Sequence, residues 1–183
     1  MDPVAVIVVA FWAMLPAYVP NNVAVLAGGG RPIDGGRTWR GDRLLGDGKT
    51  WRGTATGTLA GAALAVALNA VRPSLSPLFG AELVGFSAPV VLAMPFGAMV
   101  GDTTASFLKR RTGRERGAPF PGVDQLDFVV FALLLSALAA PSWFGSTFLD
   151  PVWVLVAVLL VTPALHVLTN AIAYVLGLKD EPY

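Results

Sequence analysis

The chain has no cysteine, a single histidine and few charged side chains. Without cysteine it can form no disulfide, no zinc–thiolate site and no thiol nucleophile. Charged residues make up 14% of the chain and hydrophobic residues 55%, a balance that excludes an ordinary soluble domain of this length. No lysine or arginine precedes Arg31, so the basic segment that opens a secretory signal is missing, and we expect the first apolar run to stay in the protein. The sequence therefore predicts an integral membrane protein.

Five long apolar runs approach the length of about 20 residues that a membrane-spanning helix needs. They cover residues 3–27, 54–71, 83–108, 123–140 and 151–176. We predict an all-α fold in which five transmembrane helices form a single catalytic domain over residues 1–183. Prolines within the runs predict kinks or local unwinding; they are Pro16, Pro20, Pro89, Pro95 and Pro163. Glycines in the runs predict tight helix packing; they include Gly57, Gly61, Gly85, Gly97 and Gly101.

Basic residues are concentrated in two of the predicted loops, at about 28–53 and 109–122. The loops on the other side contain only Arg72. Because positive charge favours the cytoplasmic side, we expect both charged loops and the C-terminus in the cytoplasm and the N-terminus outside. This orientation predicts a multi-pass protein of the cell membrane with a site that faces the cytoplasm. Within the second loop, Arg114 and Arg116 are expected to be solvated loop charges.

Three aspartates are predicted to lie near the cytoplasmic boundary of the membrane. The purely apolar part of the fourth run, 128–140, is too short to cross about 30 Å of hydrocarbon at about 1.5 Å per residue. The helix must therefore start near Val123, which places Asp124 and Asp127 on one face of its first turn. If the third and fourth helices are neighbours, Asp102 reaches the same place. Carboxylates without histidine or cysteine favour Mg²⁺ over zinc; the alternative is that these acids pair with nearby arginines.

Polar and basic residues continue the face of the third helix that carries Asp102. Ser106 follows at i+4, and Lys109 and Arg110 follow at i+7 and i+8, which makes a plausible path from a metal to a phosphate. Arg111 adds a further positive charge. The alternative for Lys109, Arg110 and Arg111 is that they fix the topology by reaching the lipid headgroups.

The first charged loop is rich in glycine and arginine and contains the sequence GDGKTWRG. It lacks the spacing of a Walker phosphate-binding motif. Glycines that free backbone amides, with Lys49, Arg52 and Arg40 beside them, can still bind phosphate groups. The alternative is a flexible basic loop that lies on anionic headgroups.

Three further polar residues fall inside apolar runs. Asn21 and Asn22 follow a proline, and their amides can hydrogen-bond across helices or to a substrate; a packing role is the favoured interpretation. His166 is the single histidine, and because no partner set surrounds it in the sequence we expect it to be a satisfied core residue.

These motifs together resemble one family. The order GDTTASFLKRRTGRERG, then PF, then DQLDF, preceded by PNN and by GDGKTWRG, is similar to the archaeal CDP-archaeol synthase family, which is related to the phosphatidate cytidylyltransferases. The wider group shares S-x-x-K-R followed by D-x-x-D at the start of a helix, which Ser106, Lys109, Arg110, Asp124 and Asp127 match here. The chain departs from that group in lacking a histidine and glycine pair before the final acids.

The resemblance implies transfer of a cytidylyl group from CTP to the phosphate of 2,3-bis-O-(geranylgeranyl)-sn-glycerol 1-phosphate, with release of pyrophosphate. CTP, the lipid phosphate, the bilayer and Mg²⁺ are then the expected partners, and nucleic acid is not. The hypothesis assigns Mg²⁺ binding to Asp102, Asp124 and Asp127. Catalytic roles go to these three and to Lys109 and Arg110. Substrate binding is assigned to Asn21, Asn22, Lys49, Thr50, Ser106, Arg52 and Arg111.

Other functions have weaker support in the sequence. A CDP-alcohol phosphotransferase should show D-G-x-x-A-R followed by G-x-x-x-D-x-x-x-D, with acids at i, i+4 on successive helices, and no such string is present. A small transporter or channel is the alternative from another class. It predicts polar residues at mid-membrane and an inverted repeat, whereas the charges here gather at one interface. A purely structural membrane protein would not need the three acids.

Overall fold

The computed structural model describes residues 2–113, 120 and 122–177. These residues form seven helices, one short hairpin and one π-helical turn, joined by loops. In chain order they are α1 (Pro3–Tyr18), α2 (Pro20–Leu26), β1 (Thr38–Trp39), β2 (Asp42–Arg43), α3 (Trp51–Phe79), α4 (Ala88–Arg111), α5 (Val123–Ala139), α6 (Pro141–Phe144), the π-helical turn Gly145–Leu149, and α7 (Trp153–Val175). The fold is therefore predominantly helical, as the sequence predicts, with one small antiparallel hairpin in addition.

Among the described residues, four helical stretches are long and apolar enough to cross a membrane. They are Pro3–Leu26, Trp51–Phe79, Ala88–Arg111 and Trp153–Ile172. The predicted fourth span corresponds to α5, which has 17 residues and is about 26 Å long at about 1.5 Å per residue. Four of the five predicted spans are thus matched by such helices, and the fifth is a helix whose role as a span is not confirmed.

Two predicted loop boundaries are wrong by one helical turn. The first loop ends before Trp51, because the Thr50 hydroxyl oxygen accepts the Gly53 N–H at 3.0 Å and so caps the start of α3. The second loop starts after Arg111, because Lys109, Arg110 and Arg111 form the last turn of α4. Positive side chains are favourable at a helix C-terminus, where the helix dipole is negative. The predicted loop residues Arg114 and Arg116 lie outside the described residues.

The first apolar run bends as its prolines predict. α1 ends at Tyr18 and α2 begins at Pro20, so the two helices meet at Val19. The Asn22 side-chain amide donates to the Tyr18 carbonyl at 3.1 Å and bridges this break. The other prolines disturb the helices less: Pro89 lies in the first turn of α4, where it is tolerated, and Pro95 and Pro163 lie within continuous helices.

Backbone contact at two glycines joins α4 to α5. A Cβ atom placed on Gly97 would lie 2.5 Å from the Phe131 carbonyl oxygen, and one placed on Gly101 would overlap the Asp127 carbonyl. Only glycine allows so close an approach, which confirms the tight packing predicted for these residues. The contact sets the acids of α4 and α5 side by side, since Asp102 follows Gly101 directly.

A second pair of glycines joins α3 to the first two helices. A Cβ on Gly57 would lie 2.6 Å from the Pro20 carbonyl oxygen, and one on Gly61 would lie 2.5 Å from both the Pro16 carbonyl oxygen and Pro95 Cβ. These contacts confirm the packing role predicted for both glycines. They also fix the N-terminal end of α3 beside the α1–α2 break.

The apolar core lies among α1, α4, α5 and α7. Its fully buried side chains include Met14, Val90, Met94, Val129, Ala132, Val154 and Val158. At one end of the bundle, the Trp12 and Trp143 indoles donate to the carbonyls of Val84 and Gly85 and hold the connection between α3 and α4. Most of the charged residues lie at the opposite end.

The loop between α2 and α3 is folded. Its hairpin pairs Thr38 with Arg43 and Trp39 with Asp42. The ends of the loop are joined by backbone hydrogen bonds from Ile33 to the Lys49 carbonyl (2.9 Å) and from Trp51 to the Arg31 carbonyl (3.2 Å).

Candidate active site

The charged end of the bundle encloses a cavity of about 1240 Å³. Its walls come from α1 and α2, from residues 45–49 of the folded loop, from α4, from the first turn of α5 and from α7. Most of the predicted site residues line it, although they are far apart in the sequence. They are Asn21, Asn22, Lys49, Asp102, Ser106, Lys109, Arg110, Asp124 and Asp127.

Two of the three acids form ion pairs with lysines across this cavity. Lys49 Nζ lies 2.5 Å from Asp102 Oδ2, and Lys109 Nζ lies 2.7 Å from Asp124 Oδ1. All four side chains are only about a fifth to a quarter exposed, with values of 18–25%. The sequence alternative names arginines as the partners of these acids, whereas the structure pairs Asp102 and Asp124 with lysines.

The third acid has a different environment. Asp127 Oδ1 accepts the Phe128 N–H at 2.6 Å. Within the described part of the chain, Asp127 forms no ion pair with lysine or arginine. Its carboxylate lines the cavity beside the two paired acids.

The start of α5 holds Asp124 in place. The helix begins at Val123, as the depth argument predicts. Asp124 Oδ2 accepts the Phe120 N–H at 2.9 Å, and the Gln125 side chain accepts the Gly122 N–H at 2.5 Å. These bonds close the turn into the helix, whose N-terminal dipole favours a negative charge.

The predicted magnesium ligands are near one another but do not form a preassembled metal centre. Among the described residues, no three aspartate, glutamate, histidine or cysteine side chains are grouped so as to hold a metal ion. Lys49 and Lys109 instead supply the positive charge beside Asp102 and Asp124. The assignment of Mg²⁺ stays a prediction.

Arg111 points away from the cavity. Its guanidinium donates to the Trp39 carbonyl at 2.8 Å and to the Arg43 carbonyl at 3.0 Å. It also lies over two aromatic rings, 5.2 Å from the centroid of Trp39 and 5.5 Å from that of Phe107. These contacts attach the hairpin to the end of α4, which is a different role from the substrate binding that the sequence predicts.

Arg52 and Thr50 also make structural contacts. The Arg52 guanidinium donates to the carbonyls of Ala27, at 2.8 Å, and Gly28, where it caps the end of α2. Arg52 does not line the cavity. Thr50 caps α3 and lines a small adjoining cavity of about 80 Å³, together with Asn21, Lys49 and Asp102.

The two asparagines differ in their hydrogen bonds. Asn22 spans the break between α1 and α2 described above, and its bond goes to the backbone four residues earlier in the same apolar run. Asn21 lines both cavities, and its Oδ1 atom is buried with no hydrogen-bond partner among the described residues. Asn21 therefore offers an unused acceptor to a bound molecule.

The sequence interpretation missed the wall that α7 contributes. Thr162, His166, Thr169 and Asn170 recur at i, i+4, i+7 and i+8 and all line the cavity. The Tyr18 hydroxyl joins this wall to α1 through a 2.7 Å hydrogen bond with Thr162. The expectation that His166 is a core residue is wrong, because it is half-buried on the cavity wall. The helical spacing of these polar residues in an apolar run was the available signal.

Comparison with known proteins identifies the same family along nearly the whole chain. A family model described as CarS-like, CDP-archaeol synthase, matches residues 4–183. A protein named CDP-archaeol synthase from Halobacterium salinarum is 69% identical over 183 residues, which is all of both chains. Its namesake from Haloarcula marismortui is 66% identical over the same full lengths. Another from Methanosarcina acetivorans is 45% identical over 93% of this chain and all of that relative.

One solved structure is similar in both sequence and fold. It is described as an intramembrane enzyme for archaeal membrane lipid biosynthesis, and it matches with a TM-score of 0.67 and 38% identity over 90% of this chain and 94% of that chain. The family model and the full-length relatives agree with the motifs that gather around the cavity. The chain belongs to the CDP-archaeol synthase family.

Proposed function

We propose that the cavity binds CTP and the phosphate of 2,3-bis-O-(geranylgeranyl)-sn-glycerol 1-phosphate and joins them to form the CDP-lipid. Family membership supplies the activity of a CDP-archaeol synthase and therefore the CTP and lipid-phosphate chemistry. The observation that carries the proposal is the cavity itself, which brings together four carboxylates, the three predicted acids and Asp47, with the basic side chains of Lys49, Lys109 and Arg110.

The reaction needs positioning more than it needs a base. An oxygen of the lipid phosphate attacks the α-phosphorus of CTP, and a new phosphorus–oxygen bond forms. The bond from the α-phosphorus to the bridging oxygen breaks, and pyrophosphate leaves with the electron pair. The lipid phosphate is already an anion, so no proton has to be removed. The protein has to align the two phosphates and neutralise their charge.

The two cavity lysines can exchange their carboxylate partners for the phosphates of CTP. Lys49 and Lys109 are paired with Asp102 and Asp124 in the structure. A triphosphate in the cavity offers stronger charge-assisted hydrogen bonds than a single carboxylate. We infer that both lysines turn to the phosphates when CTP binds, with Arg110 beside them, and that the carboxylates are then left facing one another.

The freed carboxylates are suited to magnesium. Mg²⁺ prefers oxygen ligands and commonly bridges protein carboxylates and substrate phosphates. Asp127 lines the cavity without an ion pair to any described residue, and Asp102 and Asp124 lie on the neighbouring walls. These three residues would hold the ion. When bound, it would neutralise charge on the phosphates during transfer.

The same proposal gives an orientation in the membrane. CTP is a cytoplasmic metabolite, so the cavity must open to the cytoplasm, in agreement with the basic residues of the two loops. The N-terminus would then lie outside and the C-terminus inside, in the cell membrane. This orientation requires α5 to complete a fifth span, with α6 continuing it at the far end. α5 packs extensively along α4, which supports that role.

Labelled substrates test the function directly. Purified protein with the ether-lipid phosphate should transfer label from the α-phosphate of CTP to the lipid, whereas label on the γ-phosphate should appear in pyrophosphate. Formation should need a divalent cation and should stop with a chelator. An ester-lipid phosphate tested in parallel measures the preference for the lipid. Transfer of the γ label to lipid, or no CTP-dependent product at all, would contradict the proposal.

A further inference from the structure

Asp34 is a buried carboxylate inside the folded loop. The residue is 7% exposed and lies outside the cavity wall. Its oxygens accept the backbone N–H groups of Gly36 (3.0 Å), Leu45 (3.1 Å) and Gly46 (3.2 Å). Arg43 adds a two-pronged contact, with Nη2 at 2.8 Å and Nε at 3.3 Å. A buried carboxylate is tolerated only when its oxygens are satisfied in this way.

These bonds fix the start of the segment that forms the loop wall of the cavity, and a neighbouring backbone bond fixes its end. Asp34 holds the start of residues 45–49 through Leu45 and Gly46. The neighbouring Ile33 holds the end, because its N–H donates to the Lys49 carbonyl at 2.9 Å. The chain turns at Gly46, whose φ of +95° favours glycine, and then runs to Lys49. The segment delivers the Lys49 side chain to Asp102 at 2.5 Å.

Arg43 extends the connection to the catalytic helix. Its guanidinium contacts Asp34 on one side and Asp47 Oδ1, at 2.6 Å, on the other. Its carbonyl accepts the Arg111 side chain at the end of α4. The loop is therefore attached to the same helix that carries Asp102, and Asp34 lies at the centre of the attachment.

We propose that Asp34 is a positioning residue for cytidylyl transfer: it holds residues 45–49 so that the Lys49 ammonium group reaches the phosphates of CTP. The inference rests on the proposed function, because it assigns Lys49 to the CTP phosphates. Asp34 itself contacts no substrate. Its own contacts all lie within the folded loop, so its substitution should act through Lys49 on CTP and not on the lipid phosphate.

A double-mutant cycle tests whether Asp34 acts through Lys49. Asp34→Asn should raise the KM for CTP about tenfold, since coupled residues commonly interact by about 1.4 kcal/mol, the equivalent of a factor of ten. The KM for the lipid phosphate should change less than about twofold, within the scatter of uncoupled sites. In a Lys49→Ala background the same Asp34→Asn change should have little further effect. Asp42→Asn, an exposed aspartate of the same hairpin, is the matched control and should be neutral.

A second measurement does not depend on turnover. Because the chain has no cysteine, Gly48→Cys can carry a single nitroxide label within the segment. Asp34→Asn should increase the mobility of this label, and Asp42→Asn should not. If Asp34→Asn fails to fold, Arg43→Lys keeps the charge but loses the two-pronged contact, and it should shift both readouts in the same direction by a smaller amount.

The outcomes separate the two proposals. Equal losses from Asp34→Asn with and without Lys49, equal effects on both substrates, or an unchanged nitroxide spectrum would overturn the role of Asp34. An inactive wild-type protein would overturn the proposed function alone, and the nitroxide spectra would still show whether Asp34 orders the segment.

Discussion

The two walls that meet at the cavity are built in different ways. On the helix wall, Asp102 and Asp127 are placed by backbone packed directly against backbone at Gly97 and Gly101. On the loop wall, Lys49 is placed by hydrogen bonds that converge on one carboxylate, Asp34. The first arrangement depends on volume, and the second depends on charge and donor geometry. Adding atoms at the glycines should therefore displace the acids of the helix wall. Removing the charge of Asp34 should displace Lys49 on the loop wall.

The largest loss of activity is expected at Asp127, the acid of the helix wall to which the proposal assigns Mg²⁺ binding. Asp127→Asn keeps the shape of the side chain but removes the charge that the proposal gives to Mg²⁺. We expect CDP-lipid formation to fall about 100-fold or more, the loss typical of one removed electrostatic contact in a transition state. Initial rates with labelled CTP at increasing Mg²⁺ measure it.

Asp42→Asn serves as the control for this change, because it removes the same charge at an exposed position on the hairpin. Activity of Asp127→Asn close to that of the wild type would rule out the metal assignment.

Adding one methyl group tests the packing of the same wall. In Gly101→Ala the new Cβ would overlap the Asp127 carbonyl, so α4 and α5 must separate. We expect a loss of stability of about 1–3 kcal/mol from overpacking. Activity should fall about 10- to 100-fold, because misplacement by about 1 Å can cost that much. Thermal unfolding in detergent and CDP-lipid formation are the two measurements.

Gly145→Ala is the matched control, since a Cβ at that position meets no atom within 4 Å. A Gly101→Ala protein with normal activity and stability would show that the helix wall tolerates volume, and the contrast between the walls would then fail.

The helix wall could be predicted from the sequence and the loop wall could not, because the two are built from different kinds of contact. Apolar runs and helix length are regular patterns, and they are sufficient to predict the start of α5 at Val123 and the presence of Asp102, Asp124 and Asp127 at the same end of the helices, where all three line one cavity. The loop wall has no such pattern. Nothing in the order of residues marks Asp34 as buried, because its partners come from a turn that only the folded loop creates. The same holds for Arg111 in the last turn of α4. Its partners are carbonyls of the hairpin, and the order of residues does not show that the hairpin folds against this helix.

The loop wall should depend on pH. Hydrogen bonds from Arg43 and from three backbone amides hold the pKa of Asp34 well below its usual range, against the opposing effect of burial. A lowered folded-state pKa means that the stabilisation is fully present above the unfolded value of about 3.9 and is lost as the pH falls through the folded value. A nitroxide at Gly48→Cys should therefore keep the same mobility from pH 7 down to about 4 and become more mobile only in stronger acid.

Adding Asp34→Asn to the labelled protein provides the comparison, because the substituted side chain cannot ionise. Its label should already be mobile at pH 7 and should respond less to acid. A label that loosens between pH 7 and pH 5 in the otherwise unchanged protein would contradict the placement of the Asp34 carboxylate.

The smallest effect is expected at Arg52, a residue in the first turn of α3 that contacts the end of α2. The sequence predicts substrate binding, yet the guanidinium donates to the carbonyls of Ala27 and Gly28 and lies outside the cavity. If the side chain only caps α2, Arg52→Gln should cost about 1 kcal/mol, the typical net contribution of a hydrogen bond. The KM for CTP should then change less than about twofold, within the scatter expected of sites that do not interact. Substrate binding would instead raise that KM strongly without lowering the unfolding temperature. Measuring both quantities on Arg52→Gln and Arg52→Lys decides between the two roles, because lysine keeps the charge but cannot span both carbonyls as the planar guanidinium does.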